Sequence, residues 1–229
     1  MSLYDTHLSK AQEFYDEGNY EAARHALAHA LDANPPQGDT RAHALLAFTY
    51  RRLEFDDEAL KLFEICVNAN PTPNVRAELA LILAEKGCAS QRALDLANSA
   101  ASEDPDINAA YLARFLVYAK RGEYLPALKD LKSAIRRGAD YPDNQAFELI
   151  RDWCQKFCDD SCYEDAFNLS NEVADFFASF DFYILNARLA DFAQKPRIAV
   201  DYYKRALAFL RQGNQMRIDI LEAIARIAV

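Results

Sequence analysis

Six alanines recur along this chain at nearly constant spacing, and that spacing limits what the chain can fold into. Ala23, Ala59, Ala93, Ala127, Ala166 and Ala199 are separated by 36, 34, 34, 39 and 33 residues. Around each, similar offsets return. Gly18-Asn19-Tyr20 precedes Ala23, and Leu27, Ala30, Leu31 and Pro35 follow it. Gly122-Glu123-Tyr124 precedes Ala127, and Leu131, Ala134 and Ile135 follow. The other copies read Ala59, Phe63, Cys66, Pro71; then Ala93, Ala97, Ala100, Pro105; then, more weakly, Tyr163, Ala166, Ser170, Val173; then Ala199, Tyr203, Ala206, Leu207. Steps of three and four place such residues on one face of a helix. A second helical pattern precedes each copy, as in Leu46, Ala47 and Tyr50 or Leu79, Ala80 and Leu83. A helix pair of this period cannot bury its apolar face alone and must stack on its neighbours.

Composition agrees and excludes other classes. Only six glycines and eight prolines occur in 229 residues, too few for the many tight turns of an all-β chain. Hydrophobic residues at 51% against 27% charged mark a globular chain. The net charge of −9 and the pI near 5.0 make this an acidic protein that repels phosphate backbones, so no general nucleic-acid binding is expected. No apolar stretch reaches transmembrane length, so no membrane insertion is expected. Residues 1–5 lack the basic and apolar regions of a signal peptide. Five cysteines form no even disulfide framework, which points to a reducing, cytoplasmic setting.

The Gly-x-Tyr turn, the small residue after it, the apolar residue four later, the next alanine and the closing proline together resemble the tetratricopeptide repeat family. The resemblance covers residues 4 to 212 and implies an all-α, right-handed α-solenoid of about six helix pairs. The expected repeats are 4–36, 38–71, 73–105, 106–139, 143–178 and 180–212 in one domain, with a C-terminal capping helix over 214–229. Second helices of the last two repeats are predicted at 163–177 and 196–212. The capping helix would carry Ile218, Leu221, Ile224 and Ile227 on one stripe. The chain departs from the family pattern at Glu54, which stands where a turn glycine belongs, and at Gln194-Lys195-Pro196, which replaces the last Gly-x-Tyr. The 39-residue spacing before Ala166 predicts an insertion near 138–143.

Catalytic signatures are thin. There is no glycine-rich phosphate loop and no Gly-x-Ser-x-Gly elbow. His25 and His29 have the i, i+4 spacing of a zinc helix, but Ala26 stands where a zincin needs its catalytic glutamate. Two ordinary helix-face histidines are the favoured reading. Cys154, Cys158 and Cys162 are spaced by four, yet a predicted turn displaces the third, and no second cysteine pair lies nearby. No enzyme activity, metal or cofactor is expected. A metal-binding or enzymatic protein using His25 and His29 or Cys154, Cys158 and Cys162 is the remote alternative.

Charge is segregated. Residues 109–139 carry seven basic side chains against Glu123 and Asp130, a block of +5, and residues 143–181 form a block of −8. A solvated surface is favoured over a polarised docking face.

First helices of such an array line its concave side. There Leu45, Phe48, Leu81, Leu112 and Leu116 would form an apolar groove, rimmed by Arg51, Arg52 and Lys120. Such a groove suits a peptide or an amphipathic helix of another protein. Chaperone-binding members of the family hold a carboxylate with Lys and Asn. The matching positions here are Leu8, Gln12, Ala44 and Phe48, which cannot form that clamp. The expected function is a non-enzymatic adaptor or scaffold for protein binding. A specialised chaperone similar to type III secretion chaperones is the alternative. Self-association through the C-terminal helix is a further expectation.

Overall fold

The computed structural model describes residues 2–33, 35–87, 90–139, 143–174, 176–212 and 214–227, side chains of 143–146 excepted. Among them are thirteen α-helices and no strand. The chain divides into two compact units, Met1–Ala139 and Asp140–Val229. The first holds four helix pairs: α1 (Leu3–Asp16) with α2 (Tyr20–Asp32), α3 (Arg41–Arg52) with α4 (Asp56–Ala69), α5 (Pro73–Glu85) with α6 (Gln91–Glu103), and α7 (Asn108–Arg121) with α8 (Tyr124–Arg136). The second holds α9 (Asp143–Asp159) with α10 (Tyr163–Asn171), α11 (Phe180–Phe192) with α12 (Pro196–Leu207), and α13 (Gln215–Ile227). The division falls within the long spacing between Ala127 and Ala166. Most of the insertion predicted there, 140–142, lies outside the described residues.

One turn geometry joins the two helices of each pair. The residue ending the turn is left-handed at Gly18, Glu54, Gly87, Gly122, Ser161 and Gln194, with φ between 57° and 92°. The next N–H then reaches back five residues: Asn19 to Phe14 O at 2.8 Å, Phe55 to Tyr50 O at 2.9 Å, Glu123 to Tyr118 O at 2.9 Å, Cys162 to Phe157 O at 2.7 Å and Lys195 to Ala190 O at 2.8 Å. This is the Schellman closure, which satisfies carbonyls the helix end would otherwise leave bare. No atom lies within 4 Å of a Cβ built on Gly18. Glycine there serves φ alone, so a strained Glu54, Ser161 or Gln194 can hold the same turn at an energetic cost.

The six periodic alanines share one fate: each is fully buried, at 0% exposure. Five of them are the fourth residue of their helix and donate to the N-cap carbonyl, as Ala23 does to Asn19 O at 3.0 Å. Ala93 is the third residue of α6, and its N–H goes to the Ser90 Oγ at 3.2 Å. Methyl-sized seats let the paired helices approach closely, where a larger side chain would force them apart.

Three expectations need correction. The second helix predicted at 163–177 stops at Asn171. Phe177 turns inward, its ring 5.4 Å from that of Phe182, and Ser179 caps α11 by accepting from the Phe182 N–H at 3.2 Å. Likewise α12 stops at Leu207 rather than 212. The Arg217 guanidinium donates to Leu207 O at 3.2 Å and Leu210 O at 3.3 Å, taking up its last carbonyls. On α13 the expected stripe splits. Ile220 is buried and Ile224 and Ile227 are half-buried, whereas Ile218 and Leu221 are 46% and 47% exposed. Steps of three precess around a 3.6-residue helix, so 218, 221, 224 and 227 do not share a face; 220, 224 and 227 do.

Candidate functional site

The first helices of Met1–Ala139 pack on one another, and the expected groove residues fall at those seams. Leu45 is buried with Tyr4, Ala11 and Leu27 of the first pair. Phe48 is half-buried, its ring edge-on to Phe63 of α4 at 5.1 Å. Leu81 is buried beside Ala109 and Ala113 of α7, and Leu112 and Leu116 pack half-buried on the same cluster. The structure therefore brings Leu81, Leu112 and Leu116 together and leaves Leu45 and Phe48 in other clusters.

The basic rim is partly consumed within the fold. Arg51 faces three carboxylates, with Asp56 at 2.6 Å, Glu78 at 3.5 Å and Glu85 at 3.1 Å. Burial pushes the Glu78 carboxyl above the usual carboxylate range, against the pull of Arg51. Arg52 is exposed, and the nearby Tyr15 side chain raises its guanidinium further above the ordinary range. The Lys120 ammonium donates to Ala84 O and, at 3.5 Å, to Glu85 O, where α5 exposes its negative end.

The block of +5 is engaged in the same way. Arg114 grips the buried Asp130 with two donors, the Nε bond at 2.9 Å, and reaches Asn98 at 3.2 Å. Arg137 lies over the Tyr111 ring at 4.3 Å and donates to Pro105 O and Ser133 O.

The histidines and cysteines stay apart from one another chemically. His29 sits 5.6 Å, ring to ring, from His7, while His25 is exposed. Cys154 is buried, donates to Ala166 O at 3.4 Å, and has its thiol pushed up to about 12 by burial. Cys158 is half-buried, and Cys162 is exposed at the head of α10. Among the described residues no three His, Cys, Asp or Glu side chains are placed to hold a metal ion.

A cleft of about 370 Å³ opens in Asp140–Val229 between the first helices α9 and α11. Its apolar lining is Leu185, the buried Leu189 and Cys154. Tyr163 at the start of α10 stacks on Phe192 of α11 with centroids 5.3 Å apart, and Phe192 keeps 60% of its surface exposed. Arg188 of α11 and Arg151, Gln155, Cys158 and Asp159 of α9 supply the remaining wall. Gln155 is held to Asp159 at 2.7 Å. Arg151 is matched by Glu148 and Asp152, whereas Arg188 has no carboxylate within ion-pair distance among the described residues. Sequence reasoning missed this cleft, although the i, i+4 pair Cys154 and Cys158 marked the helix face that lines it.

Comparison with solved structures decides the fold. The C-terminal part of a tetratricopeptide-repeat protein from Cytophaga hutchinsonii aligns over 96% of this chain and 87% of that one, at 18% identity and a TM-score of 0.62. The fold is the tetratricopeptide repeat. Two further structures agree in fold. PilW, a type IV pilus biogenesis factor, aligns over 96% of this chain and 99% of its own at 16% identity and a TM-score of 0.56. PilF of Pseudomonas aeruginosa aligns over 96% and 97% at 17% identity and the same TM-score. No protein-family model and no curated protein matches the sequence. Among the described residues no helix is long and apolar enough to cross a membrane.

Proposed function

We propose that this tetratricopeptide protein is a non-enzymatic scaffold that docks a segment of another protein on its first helices. The observation that carries the reading is the α9–α11 cleft, which combines an apolar floor, an exposed aromatic wall and an unmatched cation. Pockets of this size that combine apolar and aromatic surface with placed polar groups are the usual form of a binding site. We extend the proposal to the half-buried Phe48, Leu112 and Leu116, with Arg52 and Lys120, as further contacts on Met1–Ala139. The array is prefolded, so the partner segment bears most of the ordering cost. The enzymatic and metal readings have no comparable support, since Cys154 is a buried, protonated thiol and His25 stands exposed.

The test is selection of displayed random short peptides on the immobilised full chain, followed by calorimetry. Enrichment of a sequence family that binds in the micromolar range is expected. A library that yields no enriched family over repeated rounds would overturn the scaffold reading.

A second reading concerns α13. Ile218 and Leu221 are exposed, and on one flank Asp219 and Glu222 precede Arg226. We propose weak pairing with a second copy, because antiparallel α13 helices would cover Ile218 and Leu221 with their own counterparts. Two large side chains per copy make a small interface. Light scattering should therefore show concentration-dependent dimer that Leu221→Glu removes. A chain that stays monomeric at high concentration would exclude it.

A further inference from the structure

The α9–α11 cleft leaves one cation beside apolar surface without a carboxylate. Several other basic side chains near apolar surface are answered internally. Arg51 has Asp56, Glu78 and Glu85; Lys195 has Glu164 at 2.8 Å; Arg226 has Asp191 at 2.8 Å. Arg188 lines the cleft with no carboxylate within ion-pair distance among the described residues, although residues 143–181 of the same unit are strongly acidic. Asp159, the acid in the lining, is held by Gln155 at 2.7 Å. Beside Arg188 lie Leu185 and the exposed face of Phe192. A guanidinium next to apolar and aromatic surface presents a planar fork for a carboxylate and a platform for an aliphatic or aromatic side chain.

We propose that the α9–α11 cleft receives an acidic, apolar-flanked peptide segment of a partner protein, with a carboxylate on Arg188 and an apolar side chain against Leu185 and Phe192. This rests on the scaffold reading above and adds the partner's chemistry. Charge complementarity selects it over a basic segment, which would set a cation against Arg188 as it enters. A desolvated carboxylate–guanidinium contact gives specificity, and the apolar side chain covering Phe192 gives area.

Peptides selected on the full chain provide the probe. The wild type should enrich sequences with Asp or Glu within a few residues of Leu, Ile or Phe. Arg188→Glu should weaken their binding by about tenfold or more, while Arg197→Glu, an exposed charge outside the cleft lining, should change it less than about twofold. Selection repeated on the Arg188→Glu chain should turn toward basic sequences. Cys158 lines the cleft and Cys162 does not, so bound peptide should slow alkylation of Cys158 and leave Cys162 unchanged. Circular dichroism checks that the variants keep their helices; Arg188 is exposed, so they should.

An enriched family without acidic residues overturns the proposed chemistry and leaves the scaffold reading standing. Binding that survives Arg188→Glu, or that leaves Cys158 as reactive as before, overturns the placement in this cleft. Absence of any enriched family overturns both.

Discussion

In Met1–Ala139, charges stitch one repeat to the next. Arg51 of α3 reaches Glu85 of α5, Arg92 of α6 reaches Glu64 of α4, and Lys86 beyond α5 reaches Asp57 of α4. In Asp140–Val229, ion pairs recur, Lys195 with Glu164 and Arg226 with Asp191, and rings are added at the seams. Phe147 of α9 meets Phe182 of α11 at 6.1 Å, Phe177 meets the same ring, and Tyr163 of α10 stacks on Phe192 of α11. The turns differ as well. Three of the four left-handed turn positions in the first unit are glycine, while both in the second are side-chain-bearing residues, Ser161 and Gln194. Partly exposed ion pairs contribute little each and weaken with salt, whereas buried rings contribute more and ignore it. Buried apolar clusters join the repeats of the first unit, so the two units differ in which further side chains, charges or rings, are added at the seams. The surface also differs: large apolar side chains left exposed between residues 192 and 221 include Phe192, Ile198, Phe209, Met216, Ile218 and Leu221.

The sharpest way to break the contrast is Phe182→Ala. Its ring is fully buried between Phe147 and Phe177, and its loss should cost the second unit about 3–5 kcal/mol. Trp153, the single tryptophan, lies buried in that unit, so its emission during urea unfolding reads the loss. In the first unit the matching cut is Asp130→Ala. It strands the partly buried Arg114, and the cost should be about 2–3 kcal/mol, below that of a fully buried pair because Arg114 retains some solvent. Circular dichroism should record that loss while the Trp153 transition stays in place.

Smaller effects sharpen the comparison. Ser161→Gly and Gln194→Gly relieve a left-handed side chain, offset in part by glycine's greater entropy when unfolded, and each should raise stability by about 0.5–1 kcal/mol. Gly122→Ala should lose a similar amount, as thermal melts would record. Smallest is the response to salt. Raising ionic strength should weaken the first unit by at most a few tenths of a kcal/mol per ion pair and leave the Trp153 transition almost unmoved. Equal salt sensitivity of the two transitions would erase the distinction between charge-laced and ring-held seams.

The fold was legible because its determinants are local. The alanine seats at 23, 59, 93, 127, 166 and 199 carry their spacing in the sequence, and every one is buried. Helix starts were readable where Ser90 and Ser179 stand as caps or Pro73 and Pro196 open a helix. Ends of α10 and α12 were not, because Phe177 and Arg217 end them through contacts with other elements. The candidate site was less legible for the same reason. Whether Leu81 faces a groove or the neighbouring helix depends on a rotation of a few tens of degrees, which spacing alone does not set. Arg51 read as a rim charge because its partners Glu78 and Glu85 lie a whole repeat away. Arg188 carried no motif, and what distinguishes it is that no carboxylate lies within ion-pair distance among the described residues.

The buried alanines also constrain how this sequence can drift. A single-base change in an alanine codon leads to glycine, serine, threonine, valine, proline, aspartate or glutamate. At a seat with 0% exposure, the last five add bulk, a ring or a charge where no volume is free. Glycine fits but loosens the helix by about 1 kcal/mol. Serine is the mildest of these steps, adding one oxygen that can bond back to the preceding turn. Random variation at these six codons is therefore nearly all loss, while the cleft around Arg188 can change its charge in one step and keep the fold.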